Sequence, residues 1–77
     1  MDYVKKEINL FRQNITDKDL KKYADYTHIY LAENVQITDN GLEHLANVTN
    51  INLKRCNKIT DAGLANLPKS LTKSFNQ

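Results

Sequence analysis

The sequence predicts a small α/β repeat protein, in which short strand–helix units stack and their strands form a parallel sheet. The word Ile-Thr-Asp recurs at 22-residue intervals, beginning at Ile15, Ile37 and Ile59. Polar and apolar residues alternate over 28–31 and 50–53, as in strands with one buried face. A unit with one strand and one helix cannot bury its apolar face alone, so neighbouring units must stack.

The helices are predicted from the residues that follow each Ile-Thr-Asp word. Thr-Asp is a signal for a helix N-terminus, because its short side-chain oxygens can accept hydrogen bonds from free backbone N–H groups. In the second unit, Leu42, Leu45 and Ala46 are spaced so that they share one face of a short helix. Similar short helices are expected over 17–25 and 61–67.

A third strand is predicted over 6–11, because Ile8 and Leu10 lie 21 residues before Ile29 and Leu31. The connection that follows this strand is therefore one residue shorter than the others. We expect a single domain made of one half-unit and three full units, which are 4–14, 15–36, 37–58 and 59–77.

The last unit departs from the pattern. Its sequence over 67–75 reads as though it carries an inserted residue, which would place Ser74 where an apolar residue is expected. The same shift would place Phe75 beside Asn52 on the exposed side of the sheet. We interpret this tail as a frayed final strand or a cap.

The units resemble leucine-rich repeats of the cysteine-containing subfamily, which is familiar from F-box substrate adaptors. Segment 51–56, Ile-Asn-Leu-Lys-Arg-Cys, matches the core L-x-L-x-x-[N/C], as does segment 29–34. The resemblance covers roughly 6–68, although the units are shorter than is usual for that subfamily. It implies a right-handed solenoid with a short parallel sheet on the concave face. It also implies that Asn34 and Cys56 lie inside, bonded to backbone groups.

In this family, ligands usually bind the concave face, through the residues that flank the buried pair of each strand. Exposed aromatic residues beside amides and charges are typical interface anchors, which draws attention to Phe11 and Tyr30. The predicted partner-binding residues are a central column (Asn9, Tyr30, Asn52), one flank (Glu7, His28, Asn50), the other flank (Phe11, Ala32, Lys54) and the rim (Glu33, Arg55).

Composition argues against several other classes of protein. The 11 basic and 9 acidic residues are interspersed and give a net charge of +2, too mild a balance to indicate nucleic acid or an acidic membrane as a partner. The start of the chain lacks the apolar run of a signal peptide, and no segment is apolar enough to span a bilayer. We therefore expect a cytoplasmic location.

Catalysis, metal binding and cofactor binding are not expected. Only His28 and His44 could act as bases at neutral pH, and neither has a neighbour that looks like an activated nucleophile. Two histidines and the lone Cys56 do not supply the three or four converging ligands that a metal needs. Cys56 is favoured as a small buried residue over a reactive thiol.

The function expected is a non-enzymatic protein–protein interaction module that binds through the concave face and an exposed strand edge. One concrete form is a small inhibitor of a larger protein, of the phage or viral anti-defence type. The alternative is a substrate-adaptor fragment of a ubiquitin ligase. A nucleic-acid-binding module that uses Lys18, Lys21 and Lys22 ranks last. Exposed sheet edges could also support a homo-oligomer.

Overall fold

The chain forms an α/β fold with a parallel sheet. A computed structural model describes residues 5–68 and the backbone of residues 72–74. Four strands lie in chain order, and every neighbouring pair is parallel. Helical segments lie between the first three strands and after the third. The strands are β1 (Glu7–Asn9), β2 (His28–Tyr30), β3 (Asn50–Asn52) and β4 (Thr72–Ser74), and the helical segments are a 3-10 helix (Asp19–Tyr23), α1 (Asp39–Leu42) and α2 (Asp61–Leu64).

The strand register follows the sequence repeat. Ile8 lies beside Ile29 and Ile29 lies beside Ile51, so the 21-residue and 22-residue offsets are both confirmed. The inserted residue expected in the last unit is wrong, because Ile51 lies beside Lys73 with the same 22-residue offset. By this register Ser74, and not Phe75, is the neighbour of Asn52. Phe75 lies outside the described residues, as does residue 4 of the predicted half-unit.

Each strand has only three residues, fewer than the sequence predicts. Hydrogen bonds between neighbouring segments of the sheet continue past the strand ends. For example, Leu10 N donates to the Tyr30 carbonyl at 2.8 Å. The strands end because the backbone then turns through the left-handed region, with φ of 54° at Arg12 and 64° at Glu33 and Arg55. These three residues occupy equivalent positions in successive units.

The core lies on the side of the sheet that Ile29 and Ile51 face. Ile29 and Leu31 are completely buried, while Tyr30 between them is only half-buried. This alternation is the one that the sequence predicts for a strand with a single buried face. The buried apolar side chains form one continuous cluster, made of Leu10, Ile15, Leu20, Ile29, Leu31, Ile37, Leu42, Leu45, Val48, Ile51, Leu53, Cys56 and Leu67.

The helical segments are shorter than predicted, with four or five residues each. The segment predicted over 17–25 is a 3-10 helix, in which Leu20 N donates to the Asp17 carbonyl three residues earlier. After α1 the same spacing recurs, from Leu45 N to the Leu42 carbonyl. Three residues per turn place Leu45 inward and turn Ala46 outward, so the expectation that Ala46 lies on the buried face is wrong.

Thr38 and Thr60 act as N-caps, as the Thr-Asp words predict. The hydroxyl of Thr38 accepts a hydrogen bond from Asn40 N, and that of Thr60 accepts one from Ala62 N, both at 3.3 Å. Thr16 does not cap in this way, because the 3-10 helix has Lys18 as its N-cap, without a side-chain bond. Each cap satisfies one of the N–H groups that a helix leaves free at its start.

The same threonines also bind the carboxylate of the preceding unit. Thr38 N donates to Asp17 Oδ1 at 2.8 Å, and Thr60 N donates to Asp39 Oδ1 at 2.7 Å. The two hydroxyls donate to the second oxygen of the same carboxylates. The hydroxyl and the backbone N–H of Thr60 hold the pKa of Asp39 below its ordinary value. We call these four residues the carboxylate ladder.

In the first unit, the threonine binds a carboxylate of its own unit. Thr16 has no carboxylate from an earlier unit among the described residues, and its backbone N–H donates instead to Asp19 Oδ2 at 3.0 Å. The Thr16 hydroxyl donates to the same oxygen. Asp19 stands at the position that Gly41 and Gly63 occupy in the second and third units.

Gly41 and Gly63 are required because the ladder carboxylates pass very close to their backbone. A Cβ atom at Gly41 would lie 2.4 Å from Asp17 Oδ1, and one at Gly63 would lie 2.1 Å from Asp39 Oδ1. Neither glycine has a positive φ, so it is the space and not the backbone conformation that excludes a side chain. Asp19 can replace glycine in the first unit because no described carboxylate approaches it there.

The Asn34 side chain lies inside the core and connects the turn after β1 with the turn after β2. Its side chain is completely buried. The side-chain carbonyl accepts hydrogen bonds from the backbone N–H groups of Gln13 at 3.1 Å and Ile15 at 2.8 Å. The side-chain amide donates to the carbonyls of Leu10 at 2.8 Å and Leu31 at 2.9 Å. All of its hydrogen-bonding capacity is therefore used.

Cys56 holds the equivalent place in the next unit. It is buried, and its thiol donates to the Leu31 carbonyl at 3.2 Å. Gln13, which has the corresponding position in the half-unit, is exposed. The interior positions expected for Asn34 and Cys56 are confirmed.

Replacing Gly63 with alanine tests the ladder. Helix propensity alone favours alanine by about 1 kcal/mol, but the clash with Asp39 should outweigh it and lower the free energy of unfolding by about 1–3 kcal/mol. Urea unfolding followed by circular dichroism measures the change. In an Asp39→Ala background the same substitution should cost less, because the carboxylate is gone. Stabilisation by Gly63→Ala in the natural background would contradict the ladder.

Replacing Asn34 with alanine should lower the free energy of unfolding by about 2–5 kcal/mol, because the buried N–H of Ile15 and the buried carbonyl of Leu10 lose their side-chain partner. Asn57→Ala is the matched control, since Asn57 is exposed, and it should change stability by less than about 0.5 kcal/mol. Thermal unfolding of both variants compares the two positions. Equal small effects would show that the Asn34 side chain does not hold the turns together.

Candidate functional site

The register of the sheet aligns polar side chains in two rows on the face opposite the core. Neighbours in one row are paired as Glu7 with His28 and His28 with Asn50, and in the other as Asn9 with Tyr30 and Tyr30 with Asn52. We call these six residues the open face. The alignment expected for the central column and the first flank is confirmed.

The open face remains accessible in the described structure. Glu7 and Asn9 on β1 are exposed, and the four open-face residues on β2 and β3 are half-buried. Side chains of adjacent residues in a strand point to opposite faces, which is why Ile29 is completely buried between His28 and Tyr30. The open face is therefore the polar side of a sheet whose other side packs against the core.

Tyr30 and Glu7 affect each other's pKa on the open face. The Tyr30 hydroxyl donates a hydrogen bond to the Glu7 carboxylate, and this bond is the main reason why the pKa of Glu7 lies below its ordinary value. Lys5 adds to the effect, with its Nζ 3.3 Å from Glu7 Oε1. The same hydrogen bond raises the pKa of Tyr30, so the phenol stays protonated.

His28 is positioned by Thr27, the residue that precedes β2. Its Nδ1 lies 2.8 Å from the Thr27 hydroxyl. The Thr27 hydroxyl also lies within hydrogen-bond distance of the backbone of Lys6, accepting from its N–H at 3.0 Å and donating to its carbonyl at 3.1 Å. The imidazole is therefore held next to Glu7 in the first row.

Asn9 and Asn52 have a structural role that the sequence interpretation missed. Asn9 Oδ1 accepts a hydrogen bond from Phe11 N, and Asn52 Oδ1 accepts one from Lys54 N, both at 3.0 Å. These bonds close the turn that follows each strand. The carbonyl end of each side chain is thus used inside the fold, and the amide end remains for a partner. The signal was an asparagine at equivalent positions two residues before each turn.

The remaining predicted residues lie beyond the strands, in the turns. Arg12 N donates to the Ala32 carbonyl and Glu33 N donates to that of Lys54, so these turns stay in register with the sheet. Phe11 is 46% exposed, the value expected of an interface anchor more than of a core residue. Lys54 and Arg55 are also exposed.

Glu33 is engaged by Arg12, a residue that the sequence interpretation did not single out. Arg12 donates to Glu33 Oε1 through Nε at 3.0 Å and through a terminal nitrogen at 2.8 Å. The guanidinium also lies 5.4 Å from the centre of the Phe11 ring. Positive φ at equivalent positions of successive turns brings Arg12 and Glu33 side by side. Glu33 is therefore a paired residue and a weaker candidate for contact with a partner.

Reactive groups are few in the described residues. The Cys56 thiol is buried, and this burial raises its pKa, so it stays protonated. No group of three or more histidine, cysteine, aspartate or glutamate side chains in residues 5–68 is arranged to hold a metal ion. In the same part of the chain, the longest helical segment has five residues, and no helix could cross a membrane.

The sequence was compared with models of known protein families and with curated proteins. No model of a known protein family matches the chain. No curated protein matches it in sequence either.

Replacing Tyr30 with phenylalanine should raise the pKa of Glu7 towards its ordinary value, because the hydrogen bond from the phenol is lost while Lys5 remains. The folded-state pKa of Glu7 is depressed, so its stabilising contribution exists above the unfolded-state value and is lost as pH falls through the folded-state value. NMR titration of the Glu7 carboxyl group measures the change. Tyr26→Phe, on a ring that lies under Lys6, is the control and should leave the Glu7 titration unchanged.

Proposed function

We propose that the chain is a leucine-rich-repeat solenoid that acts as a non-enzymatic protein-binding module through the open face. The observation that carries the proposal is the pair of register-aligned rows, with the aromatic Tyr30 in the middle of one of them. A rigid aromatic side chain with a polar tip loses little entropy when it contacts a partner. That combination favours recognition of a protein surface.

The solenoid interpretation is supported by the parallel sheet in chain order and by the bonds that repeat from unit to unit. The carboxylate ladder connects Asp17 to Thr38 and Asp39 to Thr60, with a sequence separation of 21 residues each time. Asn34 and Cys56 follow one another in the inward turn position. A stack of nearly equivalent units, each in contact with its neighbours, is the architecture of repeat proteins.

Size sets how the module can bind. Four strands about 4.8 Å apart make a sheet only about 15 Å wide, so the open face covers a few hundred Å² at most. A standard stable interface buries about 800 Å² on each partner. A tight complex must therefore also use the turns next to the open face, where Phe11 is exposed. A narrow strip of this kind suits a small inhibitor that covers a site on a larger protein.

Replacing Tyr30 with alanine should abolish capture of the protein partner from an extract of the source cell. Loss of a central aromatic anchor costs about 2 kcal/mol or more, which is about thirtyfold in affinity. Tyr30→Phe keeps the ring and should retain most of the binding. Phe11→Ala should weaken capture less, because Phe11 lies beside the open face and not within it.

Val35→Ala is the matched control for this experiment. Val35 is 44% exposed but lies in a turn outside the open face, so its loss should not affect capture. Binding of each variant to the captured partner is then measured by titration calorimetry. If Tyr30→Ala and Val35→Ala retain the same partners with the same affinity, the open face is not the binding surface.

A further inference from the structure

The turn after β3 presents three basic side chains from a well-fixed backbone. Between the buried residues Leu53 and Cys56 lie Lys54 and Arg55, which are both exposed, and Lys58 is exposed shortly after. Every third residue of this turn thus faces inward, and the residues between face solvent. We call Lys54, Arg55 and Lys58 the basic loop.

The backbone of the basic loop is held at several points. Cys56 N donates to the Leu53 carbonyl at 3.0 Å, and Ile59 N donates to the Cys56 carbonyl at 3.1 Å. Lys54 N is bound by Asn52 Oδ1 on the open face. A partner that contacts this loop would not need to order its backbone, which lowers the entropic cost of binding.

None of the three basic-loop side chains forms an ion pair within the described residues. The ion pairs there join Arg12 with Glu33 and Lys5 with Glu7. The two charges of each pair cancel. The net positive charge of the turns next to the open face therefore lies on the basic loop. The turn of the preceding unit differs, because Ala32 and Glu33 occupy the places of Lys54 and Arg55.

We propose that the basic loop binds an acidic segment of the protein partner that the open face contacts. This inference rests on the proposed function and adds the chemistry of the partner to it. Lys54 lies two residues after Asn52, so the basic loop and the open face are continuous through the Asn52–Lys54 hydrogen bond. Exposed charges at the margin of an interface speed association and select partners of opposite charge.

An acidic protein segment fits this surface better than nucleic acid does. Proteins that bind nucleic acid through its backbone typically neutralise about 6–10 phosphates over a broad basic surface. Here three cations stand in one turn, and the chain as a whole has a net charge of only +2.

The test measures binding of a fluorescein-labelled polyglutamate peptide of about ten residues by fluorescence anisotropy, at about 10 mM and about 150 mM salt. The chain should bind the peptide at low salt and lose affinity at high salt. The triple variant Lys54→Gln, Arg55→Gln, Lys58→Gln should bind roughly tenfold more weakly, since three exposed ion pairs are lost. Circular dichroism checks that the variant folds.

The matched control is the triple variant Lys18→Gln, Lys21→Gln, Lys22→Gln, which removes the same charge from exposed positions around the 3-10 helix. It should keep peptide affinity within about twofold. Equal weakening by both triple variants would overturn the proposal, because net charge alone would explain it. A labelled oligothymidylate that binds the chain more tightly than the peptide would also overturn it. Should the triple variant unfold, Lys58→Gln against Lys22→Gln makes the same comparison.

The peptide-binding test of the basic loop and the partner-capture test of the open face can fail independently. A polyglutamate peptide offers no surface for the Tyr30 ring, so Tyr30→Ala should leave peptide binding unchanged. A failure of Tyr30→Ala to affect partner capture would count against the open face alone. A basic-loop variant that binds the peptide as well as the natural chain does would count against the basic loop alone.

Discussion

A helix of four or five residues has no stability of its own in water, so this fold depends on hydrogen bonds between successive units. The carboxylates of Asp17 and Asp39 supply them, because each binds both the N–H and the hydroxyl of a threonine in the next unit. The same threonines cap α1 and α2. One residue type therefore begins each α-helix and also connects it to its neighbour, which makes the units fold as one body.

Burial explains how far the fold could be read from the sequence. Ile8, Ile29 and Ile51 repeat because each unit fills the same place in one core, and their spacing gave the register directly. The helix ends and the outward position of Ala46 depend on three-residue turns, whose pattern differs little from that of an α-helix over so few residues. The carboxylate ladder was not predicted, because Thr-Asp was interpreted only as a cap within its own unit. The aspartate carboxylate binds the threonine of the next unit instead.

The candidate site was predictable to a similar extent. Alternation along the strands was enough to bring Glu7, His28 and Tyr30 to one face. The interaction between Tyr30 and Glu7 is diagonal, because the two residues belong to different rows. The pairing of Arg12 with Glu33 follows from turns with a positive φ, which contain no glycine that would have indicated them. Both depend on side-chain directions that a repeat pattern does not contain. They decide which predicted residues are free to contact a partner and which already have one.

Asp19 makes the first unit different in kind from the others. Its carboxylate fills the space that an aspartate from an earlier unit would need, while Gly41 and Gly63 leave that space open. The units are consequently not interchangeable modules. A longer array could be engineered by duplicating residues 37–58, because this unit carries both ladder groups: Thr38 binds the preceding unit and Asp39 binds the following one. An added copy placed ahead of Thr16 would set two carboxylates against each other unless position 19 were first changed to glycine.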